Sequence, residues 1–199
     1  MTRKLTLSDV VDLRAYERER AEFRARIIEL KKLRRIGVGP IITLVFENRQ
    51  TIRFQVQEMA RAERILTDER LQEELDAYNP LIPEPGTLSA TLFIEIDSKE
   101  GLMEWFPKLV GIERSIRLRL GGGSDAEVIR CLTDEAHQQQ LTREDVTAAV
   151  HYIRFELTPA QVERFAACPV TLRVDHPYYH EETPLAPGAH AALLEDLRD

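Results

Sequence analysis

Pro40-Ile41-Ile42-Thr43-Leu44-Val45-Phe46-Glu47-Asn48-Arg49-Gln50-Thr51-Ile52-Arg53-Phe54-Gln55-Val56-Gln57 changes character halfway. Ile41 to Phe46 is an apolar run opened by a proline, the composition of a buried strand. Beyond the polar group Glu47 to Gln50, Ile52, Phe54 and Val56 alternate with Arg53, Gln55 and Gln57. A period of two predicts a second strand, and Asn48 suits the turn of a β-hairpin. From Glu58 to Leu66 the spacing lengthens to Met59, Ala62 and Leu66, which predicts a helix.

Upstream, Leu13, Tyr16, Phe23, Ile27 and Leu30 recur at the period of one helix face, so the region from Leu13 to Leu33 reads as a long helix. Arg18, Glu22 and Arg26 follow one another at four-residue steps on its exposed side. Lys31 and Lys32, with Arg34 and Arg35, complement the dipole at its end, and Gly37 stands beyond as a stop. Downstream, Thr67 can cap a helix from Asp68 to Tyr78. Asn79 to Gly86 then carries three prolines and a glycine, a boundary between an N-terminal half, 1–86, and a C-terminal half, 87–199, within one compact unit.

The second half reads as strands near Leu88–Ile96, Ser115–Leu120, Glu127–Cys131, Val150–Leu157 and Val170–Asp175. Helices are expected near Lys99–Val110, Pro159–Ala167 and Ala186–Leu197, with a polar excursion at His137 to Gln140. The class is therefore α+β: a long helix and hairpin with helices, packed on a mainly antiparallel sheet with helices. Without the extra strand, the order of elements is the ferredoxin-like split pattern.

Composition limits function. The chain has 199 residues, 43% hydrophobic and 31% charged, with a net charge of −7. No apolar run is long enough to span a bilayer, and Met1 to Asp9 lacks the apolar core of a signal peptide, so a cytoplasmic protein without membrane association is expected. A surplus of acid argues against nucleic acid as a partner. The two cysteines, Cys131 and Cys168, suit reduced, inert thiols. Charge is nevertheless segregated: residues 1–35 hold 11 basic and 6 acidic side chains, a cationic arm on an anionic body. Arg18, Arg24, Arg26, Lys31 and Lys32 are the residues expected to meet an acidic partner.

Three groups remain as chemical candidates. Gly121-Gly122-Gly123-Ser124-Asp125-Ala126 satisfies a dinucleotide-binding spacing, but it follows a half-exposed strand and no helix succeeds it, so a turn is expected. Glu47, Arg49, Gln55, Gln57, Glu58 and Arg61 concentrate polar groups in the expected hairpin and the helix after it, as either a ligand pocket or a surface network. Asp175-His176-Pro177-Tyr178-Tyr179-His180-Glu181-Glu182 is the densest set of metal-ligand types. His176 and His180 four apart, with Asp175 or Glu181, would supply three ligands to zinc or iron if that segment were helical. His151 and His176 share strand parity with apolar neighbours, the pattern of core histidines.

Phe46-Glu47-Asn48-Arg49, Arg53 to Met59, Ala62 to Ile65, Glu74 to Pro83, Leu109-Val110-Gly111-Ile112-Glu113 and Val174-Asp175-His176-Pro177 together resemble a bacterial family known as domain of unknown function 3501. The resemblance covers nearly the whole chain and brings no catalytic residue with it. It implies a shared task with rubrerythrin-like proteins and iron–sulfur proteins related to heterodisulfide reductase. Two readings follow: an accessory or binding protein of that redox system, docking through the cationic helix, and a metal-dependent enzyme using the histidine and carboxylate group.

Overall fold

Residues 3–133 and 146–198 are described in the computed structural model. In chain order the strands are β1 (Arg35–Val38), β2 (Ile42–Glu47), β3 (Thr87–Ile94), β4 (Ile116–Leu120), β5 (Glu127–Arg130), β6 (Leu132–Thr133), β7 (Val150–Glu156), β8 (Val170–His176) and β9 (Tyr179–Pro184). They form two antiparallel sheets, ordered β1-β2-β3-β7-β6 and β5-β4-β8-β9. The α+β class holds, whereas the ferredoxin-like pattern does not. That pattern needs its four strands in one sheet, but β3 pairs with β7 in the first sheet and β4 with β8 in the second.

Register explains how the layers stack. Leu44 lies opposite Leu92, and Leu92 opposite His151; Phe46, Ala90 and Ile153 form the next row. This apolar face of the first sheet meets Leu118, Leu120, Leu172 and Val174 of the second in one core cluster. The second sheet is covered on one side only, so β4 alternates buried Ile116, Leu118 and Leu120 with half-exposed arginines, as its sequence predicted.

The opposite face of the first sheet carries α1 (Leu13–Lys32), α2 (Arg49–Ala62) and α3 (Asp68–Tyr78). Covered on both sides, β2 is buried at all six positions. Helix α1 follows its sequence pattern, burying Tyr16, Phe23 and Ile27.

The expected hairpin does not form, because Arg49–Ala62 is a helix. Asn48 is not a turn residue but the N-cap of α2: its side chain accepts from the backbone N–H groups of Gln50 and Thr51, while Thr51 Oγ1 accepts from Asn48 N–H. Ile52 and Val56, four apart, face a small core with Leu5, Leu75 and Ile82. Phe54, on the other side of α2, meets the Phe23 ring edge-on at 5.6 Å. Burial on two sides of α2 produced an apparent period of two. Glu58 to Ala62 therefore continues α2 instead of starting a new helix. The hairpin that β2 does form is with the preceding strand β1, paired from Arg35↔Val45 to Val38↔Ile42, so Gly37 lies within a strand and not at a helix stop.

Three more helices complete the described chain: α4 (Lys99–Lys108), α5 (Pro159–Ala167) and α6 (Pro187–Arg198). Helix α6 is fastened by Asp196, which accepts from both Arg34 amino groups at 2.5 and 2.9 Å in a buried ion pair. The first sheet takes β1 and β2 from before residue 86 and β3, β6 and β7 from after it. The expected polar excursion from His137 to Gln140 lies outside the described residues. No helix among those described is long and apolar enough to cross a membrane.

Candidate functional site

Helix α1 divides its cations between two faces. Arg20 is turned inward and donates to both Glu58 oxygens at 2.8 Å. Outward, Arg14, Arg18, Ala21, Ala25, Ile28 and Lys32 follow one another at steps of three and four, all exposed. Of the predicted docking residues, Arg18 and Arg24 are exposed; Arg26 pairs with Glu22 at 2.8 Å and covers the Phe23 ring; Lys32 pairs with Glu29 at 2.7 Å. Lys31 is different, because it lies half-buried and lines a cavity behind the helix.

The polar residues predicted around the hairpin do not share one pocket. Arg49 donates to Asp9 at 2.6 Å and to the Arg3 carbonyl. Gln57 bonds both the N–H and the carbonyl of Val11, as a strand neighbour would. Glu58 accepts from Tyr16 Oη at 2.6 Å in addition to Arg20, and Arg61 donates to Glu17 at 2.5 Å. These four side chains bind the N-terminal segment and α1 onto α2. The Arg20 hydrogen bonds, opposed by burial and helped by Tyr16, bring the Glu58 carboxyl down to about 2.

Glu47 and Gln55 are the members of that group that line the cavity, which has a volume of about 260 Å³ and lies between the helical layer and the first sheet. Its other walls are Lys31, Ile52, Tyr78, Leu81, Thr91, Phe93, Val150 and Tyr152. Register fixes part of this surface, since Thr91 lies opposite both Val45 and Tyr152 on one face, and Phe93 opposite Val150. Glu47 is buried, with one oxygen accepting from Thr51 Oγ1 at 2.5 Å and the other from Thr91 Oγ1 at 2.7 Å. Burial, then Tyr78 and the Glu47 charge, push the Tyr152 phenol upward. The sequence points to Glu47 and Gln55 but not to Tyr78, Thr91 and Tyr152, which come from three further elements and share no linear spacing.

The proposed metal set is also corrected. Residues 175–182 are a β-hairpin, not a helical turn: Asp175 lies opposite His180, and His176 opposite Tyr179. Four-residue spacing therefore does not bring the imidazoles together. His180 is exposed with Nδ1 3.3 Å from Asp175, while His176 is buried. His176 Nε2 faces the Val110 carbonyl at 3.1 Å, so it carries the proton, and Nδ1 accepts from Tyr178 N–H at 3.3 Å. Neither nitrogen is left to ligate a metal. Glu181 sits opposite Val174 on the strand, and no group of three ligating side chains is assembled among the described residues.

A second buried polar cluster joins the two sheets. His151 Nε2 lies 2.9 Å from Thr147 Oγ1 and 3.0 Å from the Ala148 carbonyl. Its Nδ1 and Glu113 Oε2 are unpartnered, 4.0 Å apart and fully enclosed. Burial lowers the His151 pKa against the pull of Glu113. Beside them Cys131 donates from Sγ to the Glu113 carbonyl, and burial raises its thiol to about 11, far from a reactive thiolate. The glycine run 121–123 connects the antiparallel strands β4 and β5, with Gly121 and Gly123 at positive φ and no long helix behind them.

Comparison with known proteins places this geometry in a family. The model of the family described as "Protein of unknown function (DUF3501)" matches residues 4–197. A crystal structure of a novel protein of unknown function from Burkholderia pseudomallei K96243 is similar, with 36% sequence identity and a TM-score of 0.88; the match covers 98% of this chain and 99% of that one. No curated protein matches the chain.

Proposed function

The chain belongs to the DUF3501 family, whose description states no activity, and from that premise we propose that it works by binding, as an accessory protein of a cytoplasmic redox system. The outer face of α1 is the docking surface, and an acidic iron–sulfur or rubrerythrin-type protein is the partner. The observation that carries this reading is the set of exposed cations Arg14, Arg18, Arg24, Arg26 and Lys32 on α1, two of them paired with Glu22 and Glu29 of the same helix, on a chain of net charge −7. Small side chains between cations let a second surface approach closely, and opposite potentials steer the encounter.

Binding of the purified protein to a rubrerythrin-type protein and to an iron–sulfur protein, measured by calorimetry over a salt series, tests the reading. Affinity should fall at least about tenfold from low to physiological ionic strength, because exposed charges are screened within roughly 8–10 Å. The triple substitution Arg18→Glu, Arg24→Glu, Arg26→Glu should weaken the complex by a similar factor or more. An affinity indifferent to both salt and charge reversal would refute the docking face.

A further inference from the structure

We propose that the cavity between the helical layer and the first sheet is a binding site for a small zwitterion, its ammonium held by Glu47 and its anionic group by Lys31. Glu47 is the informative residue. A carboxylate offers about four acceptor positions, and the two threonine hydroxyls occupy two of them. Among the described residues no cation pairs with it, although it is buried and an uncompensated interior carboxylate is costly. An ammonium group entering the cavity supplies both the missing charge and the missing donors.

Lys31 provides the opposite pole. Its amine makes no ion pair with a described residue, unlike its neighbour Lys32, and it borders the same space as Glu47. The same cavity is bordered by the aromatic side chains of Phe93, Tyr78 and Tyr152, surfaces suited to a ring or short chain. The volume of about 260 Å³ is below the roughly 300 Å³ at which drug-sized sites begin, so the ligand is fragment-sized. Glu47 is also well positioned, because the residue after it is the N-cap of α2 and its own acceptors are fixed by two hydroxyls.

Three probes sharing one ring separate the two poles: 4-(aminomethyl)benzoate, benzylamine and benzoate. Calorimetry or ligand-observed NMR on the full chain, without any partner protein, reads the cavity independently of docking. The zwitterion should bind at least about tenfold more tightly than either singly charged probe. Glu47→Gln should weaken 4-(aminomethyl)benzoate and benzylamine while leaving benzoate unchanged. Lys31→Met should do the converse, and as a half-exposed helix position it leaves the fold intact should Glu47→Gln be unstable. Failure of all three probes to bind at millimolar concentration, or zwitterion binding that Lys31→Met does not weaken, would overturn the proposal.

Discussion

Glu58 shows how a single residue is reassigned once its neighbours are known. In the sequence it belonged to a polar group with pocket-like composition; in the fold it accepts three hydrogen bonds, from Tyr16 and Arg20 of α1. Its pKa is brought to about 2 from an ordinary value of 4.5, so the folded state favours the ionised form. The stabilisation is therefore complete above the unfolded value and disappears as pH falls toward the folded one. Between about pH 5 and pH 2, Glu58→Gln should lose on the order of 2–3 kcal/mol less stability than the unaltered protein in urea titrations at stepped pH. Parallel pH profiles for the two proteins would contradict the assignment. His151 illustrates the complementary case. Strand parity correctly marked it as an inward-facing histidine, but the unpartnered Glu113 oxygen 4.0 Å away comes from a turn 38 positions upstream that no local pattern connects to it.

At the scale of elements, α2 is decided by its first turn. The reciprocal bonds of Asn48 and Thr51 start a helix where alternation alone predicted a strand. Asn48→Ala should cost about 1 kcal/mol, and Asn48→Gly only a few tenths, because glycine tolerates the extended cap conformation. Equilibrium urea unfolding measures both; a loss no greater than a few tenths in Asn48→Ala as well would mean that the cap bonds contribute little. The cap signal was present in the residues Asn48 and Thr51. It was outweighed by Ile52, Phe54 and Val56, whose spacing has two explanations: one face of a strand, or two covered sides of a helix. A helix between a sheet and another helix buries both sides, and only the position of α1 distinguishes the cases. Residues 175–182 are the opposite case: the two histidines have helical spacing, but β9 returns along β8.

At the scale of the whole molecule, Arg34 and Asp196, 162 positions apart, fasten the last helix beside the start of β1. Both are buried, so removing one leaves the other as an uncompensated charge. Arg34→Met should destabilise by about 3–5 kcal/mol, while the double variant Arg34→Met, Asp196→Leu should recover most of that loss in thermal and urea unfolding. A double variant no more stable than the single one would show that packing, not charge, is what Arg34 supplies. By itself the sequence determined the α+β class, the long amphipathic α1, most strands of the C-terminal half and the separation of a cationic arm from an anionic body. These are local quantities: period, composition and charge along the chain. Only the tertiary structure decided that the strands divide into two sheets, that α2 is a helix, that the metal set does not converge and that Glu47 and Lys31 border one cavity. Each of those depends on which surface covers a given face, and contacts between distant segments leave no period in the chain.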